Sequence, residues 1–226
     1  FSEKRYTVQD LQYIEIETGE NPTAAVIWLH GLGASGHDFE PVVPELGLPE
    51  DAAVRFIFPH APNLPVTING GMSMPAWYDI KAMDIDRVVD TEQLRASADA
   101  VARLVEREKE KGVPADRIII AGFSQGGAVA YELGLSYPER LGGILALSTY
   151  FATAKTVKCS EANADVPISV YHGTFDPMVQ ESLGVRSVET LKEMGYAPSY
   201  QTFPMEHSVC LEEIQDIGRF IRRHLL

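Results

Sequence analysis

Arg117-Ile118-Ile119-Ile120-Ala121-Gly122-Phe123-Ser124-Gln125-Gly126 joins an isoleucine run to a Gly-x-Ser-x-Gly turn. The run predicts a short strand over 117–121, buried on both faces because it lacks polar alternation. The residues from Gln125 to Ser136 read as a helix. Between the two the chain must reverse sharply, with Ser124 in a strained conformation that lifts its hydroxyl clear of the sheet. Glycine is needed at 122 and 126, because side chains two residues either side of the serine would clash. At a helix N-terminus the hydroxyl also sits where the dipole favours developing negative charge. Such a string arises by chance with serine as a simple helix cap. The strand before it and the helix after it select the nucleophile reading.

Working outward, strands and helices alternate along the whole chain. Continuous apolar runs at 25–29, 54–58, 143–147 and 167–171 predict further buried parallel strands, and 199–203 another strand. Residues 11–17 alternate apolar and polar, as an exposed antiparallel edge strand does. Helices are predicted over 91–111, 125–136, 182–194 and 211–224. In the first, Leu94, Ala98, Val101, Leu104 and Val105 share one face, Asp90 is the N-cap and Gly112 the stop. This pattern predicts an α/β fold, with a mostly parallel central sheet and helices on both faces, formed by a single domain over 1–226. Ligands of such sheets bind beyond the carboxyl ends of the strands. One stretch, 60–83, is rich in Pro, Gly and Asn and has no period. Its Met72, Met74, Trp77 and Tyr78 are too apolar to leave in water, which predicts an ordered flap over the site.

Bulk composition sets the boundaries. A chain of 226 residues, 45% hydrophobic and 23% charged, can bury one core without disulfide staples. A formal net charge of -13 argues against a nucleic-acid partner and disfavours anionic lipid. Cys159 and Cys210 lie in no paired motif, so a reducing compartment, the cytoplasm, is expected. No run approaches the roughly 18 apolar residues of a membrane span, so no stable membrane insertion is expected. Lys4 and Arg5 lead into an alternating strand instead of an apolar leader, although the chain begins at Phe1 without Met and an upstream segment stays open. A homodimer is open as well.

A serine hydroxyl needs a neighbouring base, and the base an orienting acid. In a fold of this kind the chain order is Ser, acid, His. His172, His207 and His224 follow Ser124. His172 precedes any usable acid, and His224 sits in a helix end where a cation complements the dipole. His207 follows the strand 199–203, where a base belongs. The acid must lie past a strand between Ser124 and His207. Asp176, in Gly173-Thr174-Phe175-Asp176-Pro177, satisfies this. Asp165 precedes its strand, and Glu181 falls in the next helix's first turn. An oxyanion needs two N–H donors: that of Gln125, and one from the loop after an early strand. His30-Gly31-Leu32-Gly33 fills that place, with Leu32 N–H the candidate and His30 a brace for the loop.

Rival readings are weaker. Gly31-Leu32-Gly33-Ala34-Ser35-Gly36 matches a dinucleotide-binding fingerprint, but the next strand ends at Phe58-Pro59-His60 without the acid that a ribose hydroxyl requires. A non-catalytic module is disfavoured by the intact Ser, Asp and His. Asp84, Asp86 and Asp90 lack accompanying histidines and are better explained by a helix start, so no metal is expected.

The motifs Trp28-Leu29-His30-Gly31-Leu32-Gly33, Met74-Pro75-Ala76-Trp77-Tyr78-Asp79, Gly122-Phe123-Ser124-Gln125-Gly126-Gly127, His172-Gly173-Thr174-Phe175-Asp176-Pro177 and Glu206-His207-Ser208 run in one order. In that order the chain resembles the carboxylesterase, lysophospholipase and acyl-protein thioesterase family of α/β-hydrolases, from Ala24 onward. The resemblance implies Ser124, Asp176 and His207 as triad, Leu32 and Gln125 as oxyanion donors, and no cofactor. It implies an acyl pocket near the flap, for which Leu32, Met74, Trp77 and Met178 are the candidate side chains. Glu206 beside the base is less typical of eukaryotic thioesterases. The expectation is therefore a bacterial-type serine carboxylesterase acting on short- to medium-chain acyl esters, the alternative an acyl-protein thioesterase or lysophospholipase with the same triad. Its partner is a small acyl ester or thioester.

Overall fold

The computed structural model of the chain describes residues 6–84 and 86–226; Lys4 and Arg5, read above against a leader, lie outside them. In chain order come β1 (Tyr13–Glu17), β2 (Ala24–Leu29), β3 (Val54–Pro59), β4 (Asn63–Val66), β5 (Met72–Pro75), β6 (Ile80–Ala82) and β7 (Val88–Val89). Then follow α1 (Thr91–Glu110), β8 (Ile118–Phe123), α2 (Gln125–Ser136), β9 (Gly143–Leu147), β10 (Ile168–Gly173), α3 (Glu181–Glu193), β11 (Ser199–Phe203) and α4 (Leu211–Leu225).

Seven strands form one sheet in the order β1-β3-β2-β8-β9-β10-β11. All its pairs are parallel except β1 with β3, which run antiparallel at one edge. The apolar runs owe their continuity to a two-sided core. In β2, Ala25, Ile27 and Leu29 pack on the face covered by α1 and α2, while Ala24, Val26 and Trp28 pack on the face covered by α4. Ile118 and Ile120 of β8 divide from Ile119 and Ala121 in the same way. Period-two alternation therefore holds in space although every residue in the run is apolar. α1 keeps its expected cap, with Asp90 accepting from Gln93 N–H, and Gly112 stops it at φ +96°. β1 begins at Tyr13 because Leu11 turns into the core instead of pairing.

The 60–83 stretch is not a plain loop. β4 and β5 pair antiparallel, Asn63 opposite Pro75 and Val66 opposite Met72. Strands this short, each holding a proline, leave no period to read. The Asp79 carboxylate ties the hairpin down, accepting from Thr67 N–H (2.7 Å) and Thr67 Oγ1 (2.5 Å). Among the described residues, no helix is long and apolar enough to cross a membrane.

Candidate active site

β8 delivers the chain to Ser124, which sits at φ 55°, ψ -118°, in the left-handed half of backbone space. A non-glycine there stores roughly 1–3 kcal/mol of strain that its surroundings must hold. They do so by hydrogen bonds: Ser124 N–H donates to Leu147 O (2.9 Å), and Thr149 Oγ1 donates to Ser124 O (2.5 Å). The flanking glycines are required by contact. A Cβ at Gly122 would lie 2.1 Å from Gly126 O, and one at Gly126 would lie 2.5 Å from Leu29 O.

Asp176 is buried within the turn that follows β10. Its Oδ1 accepts from Met178 N–H and Val179 N–H, both at 2.9 Å, and its Oδ2 faces His207 Nδ1 at 2.7 Å. Burial pushes this carboxyl up, but the bonds from His207 and the two amides outweigh it and hold the group below the usual carboxylate range. An ionised Asp176 can only accept, so the proton lies on His207 Nδ1 and the free lone pair on Nε2. Ser124 and His207 line one recess, together with Leu32 and Gln125. Among the described residues, Ser124 and His207 share no hydrogen bond; such bonds often tighten only with substrate bound.

The competing side chains sit elsewhere. Asp165 is exposed and paired with Arg140, Glu181 opens α3, and His224 packs against the Phe220 ring, tilted 55° to it, in the last turn of α4. His172 is buried at the end of β10. Its Nε2–H donates to Val179 O (2.7 Å), which leaves Nδ1 bare, and burial pushes its pKa down. It braces the acid's turn from behind.

The loop after β2 crosses the recess. Gly31 approaches so closely that a Cβ there would lie 3.2 Å from the Phe123 ring. Among the described residues, neither Leu32 N–H nor Gln125 N–H has an acceptor. His30 Nε2 accepts from Ala61 N–H (3.0 Å), so its Nδ1–H donates to Gly31 O (2.6 Å). Burial lowers its pKa to about 4, and the neutral ring braces the loop.

Two expected acyl contacts are corrected. Trp77 is fully buried beneath the recess and does not line it: its indole Nε1–H donates to His30 O (2.8 Å) and its backbone N–H to Gln125 Oε1 (2.9 Å). Met74 packs instead against Leu64, Val66 and Ala76. Leu32 and Met178 do line the recess, with Ile68, Ile80, Met83 and Tyr150 as further apolar wall. Sequence reasoning missed Tyr150, although it lies just past β9, where the strand-end rule points. It also missed the Gln125 side chain, which accepts from Trp77 N–H and donates through Nε2 to Tyr78 O (2.7 Å).

With this geometry in place, comparison with known proteins is informative. The chain is 42% identical over 214 residues to acyl-protein thioesterase 1 of Neurospora crassa, covering 90% of this chain and 87% of that protein. To acyl-protein thioesterase 1 of Gibberella zeae it is 39% identical over 214 residues, covering 90% and 91%. The crystal structure of Zea mays acyl-protein thioesterase 2 superposes with a TM-score of 0.84 at 28% identity, covering 95% of this chain and 99% of that one. These relatives make the chain a hydrolase of the esterase and thioesterase type with an α/β-hydrolase fold. The phospholipase/carboxylesterase family model matches residues 11–225, and the chain belongs to that family.

Proposed function

We propose that this hydrolase cleaves acyl thioesters, with acylated protein as the substrate class, through a covalent acyl-enzyme on Ser124. The observation that carries the mechanism is the Asp176–His207 hydrogen bond beside a strained serine in a shared recess. His207 Nε2 takes the proton of Ser124 Oγ as the oxygen attacks the acyl carbonyl. Leu32 N–H and Gln125 N–H receive the oxyanion. Collapse expels the thiol, which leaves with the proton from His207, and a water activated by the same imidazole releases the acid. These groups handle every proton and charge in the cycle, so the reading calls for no metal and no cofactor.

The thioester takes precedence over the short- to medium-chain ester expected from sequence, because acyl-protein thioesterases are the relatives at 36–42% identity. Oxygen esters and lysophospholipids present the same carbonyl and are secondary substrates. The reading takes 1–226 as one domain, with Ile68, Ile80 and Met83 of the 60–83 flap walling the recess. Free Cys159 and Cys210 fit a reducing compartment such as the cytoplasm.

A fluorophosphonate should label Ser124, and Ser124→Ala should abolish labelling and reduce turnover by up to about a million-fold while leaving the fold intact. Labelling that survives in Ser124→Ala refutes the mechanism. An S-acylated peptide hydrolysed no faster than the matching O-ester refutes the substrate class.

A further inference from the structure

Arg87 stands between β6 and β7, and its guanidinium reaches back across the mouth of the recess. It donates from Nη2 to the Met178 carbonyl and lies 5.0 Å from the centroid of the Tyr150 ring. Tyr150 is itself fixed, its hydroxyl 2.6 Å from that of Tyr78. The preceding Asp86 pairs with Arg186 of α3 at 2.5 Å, which ties the same segment to the helix that follows the acid's turn.

The Met178 carbonyl belongs to the peptide unit whose N–H is that of Val179. That N–H is the one that donates to Asp176 Oδ1 at 2.9 Å. The cation therefore acts on the acid through a single peptide: pulling on its C=O polarises its N–H and strengthens the bond to the carboxylate. The other carboxylate oxygen holds His207 Nδ1 at 2.7 Å. Beyond polarisation, the contact restrains a turn that carries two exposed residues, Pro177 and Met178, and is otherwise pinned at Val179 O by His172.

We propose that Arg87 is a positioning residue for Asp176, acting through the Met178–Val179 peptide and held by its cation–π contact with Tyr150. This rests on the Ser124–Asp176–His207 reading and deepens it. Arg87 also lines the recess and is the one lysine or arginine to do so among the described residues, so reading an anionic group on the substrate is the rival role. Its engagement within the protein favours positioning: one donor is spent on the turn, and its guanidinium carbon lies over the Tyr150 ring.

The test is a kinetic double-mutant cycle with Arg87→Gln, Arg87→Lys, Asp176→Asn and Arg87→Gln/Asp176→Asn, on acetyl and longer acyl thioesters. Arg87→Gln should lower kcat about tenfold, the worth of a charge-assisted hydrogen bond, and equally for every acyl group. KM should stay within about twofold, and in the Asp176→Asn background the substitution should add nothing. Arg87→Lys should recover part of the loss. A KM that rises only for anionic or long substrates overturns the proposal, as does a full additional loss in Asp176→Asn. Unchanged kcat in a folded Arg87→Gln overturns it too. If Arg87→Gln does not fold, Arg87→Lys takes its place in the cycle and must show the same lack of additivity. High activity in Asp176→Asn alone would instead overturn the triad reading, so the two failures are distinguishable.

Discussion

Replacing Gln125 by Ala should destabilise the protein far more than it slows the chemistry. The Gln125 side chain is buried and makes two hydrogen bonds to one dipeptide, accepting from Trp77 N–H (2.9 Å) and donating to Tyr78 O (2.7 Å). Ala strands both backbone groups where water does not reach. Each orphaned group costs about 1–3 kcal/mol, so the pair costs about 2–6 kcal/mol. That is a large part of a total stability of about 5–15 kcal/mol. With a urea dependence of about 3 kcal/mol/M, the unfolding midpoint should fall by roughly 0.7–2 M. Tryptophan fluorescence is a suitable probe, because Trp77 itself is tied at both nitrogens. The oxyanion donor assigned to position 125 is the backbone N–H, which Ala retains, so kcat per folded molecule should fall less than about tenfold. Gln125→Glu sharpens the test. Ionised, it still accepts from Trp77 N–H but sets a lone pair against the Tyr78 carbonyl; protonated, its O–H can donate there. Its stability should therefore recover on acidification from pH 8 to pH 5. A Gln125→Ala midpoint within about 0.3 M of wild type would refute the reasoning, given the linear relation between midpoint and stability. Loss of turnover with stability intact would move the side chain into the chemistry.

Two further outcomes follow from buried carboxyls. Asp176→Asn should fold yet lose about ten-thousand-fold in turnover, because an amide can hold the wrong His207 tautomer; steady-state kinetics on one thioester checks this, and retained activity refutes the triad. Glu213, fully buried at the start of α4, has its carboxyl pushed by burial from 4.5 up to about 8, offset only in part by Cys210 N–H. Between those values the folded protein keeps a proton that the unfolded chain has released, so this group's contribution is complete below pH 4.5 and is lost as pH rises towards 8. Glu213→Gln should remove a slope of about 1.4 kcal/mol per pH unit, measured as the wild-type-minus-mutant difference in urea unfolding at pH 5, 6.5 and 8; a flat difference refutes it.

The fold was legible because its strands are buried on both faces. Residues 25–29 and 117–121 read as strands before any partner was known, against Ala24–Leu29 and Ile118–Phe123 in the fold, and Gly122 and Gly126 announced a turn that their added Cβ atoms would block. Strand-end placement and chain order singled out Asp176 and His207, which the fold sets 2.7 Å apart. The side chains of 60–83 were legible only as apolar. An aromatic in an irregular stretch reads alike whether it covers a pocket or plugs a core. Trp77 is placed in the core by bonds to His30 O and to the Gln125 side chain, 47 and 48 residues away. Such ties between distant side chains and backbone leave no local pattern. The choice of acyl donor was illegible for another reason: every candidate offers the same carbonyl to Ser124.

The recess therefore joins two kinds of surface. Its floor, and the buried side chains Asp176 and His30 that stand behind the lining, hold polar groups paired inside the protein: Ser124 to Leu147 and Thr149, Asp176 to two amides and His207, His30 to Gly31 and Ala61. A shift of any of these would orphan a buried donor or acceptor, so the floor has one arrangement. Its wall includes Ile68, Met83 and Met178, of which Met83 and Met178 are 47% and 56% exposed, and the side chains of these three make no hydrogen bond among the described residues. Methionine adapts to the shape it meets at little energetic penalty. On the proposed mechanism, chemistry is thus fixed by the floor. The same proposal leaves acyl-chain fit to the wall, in segments where one apolar side chain can replace another without disturbing a side-chain hydrogen bond.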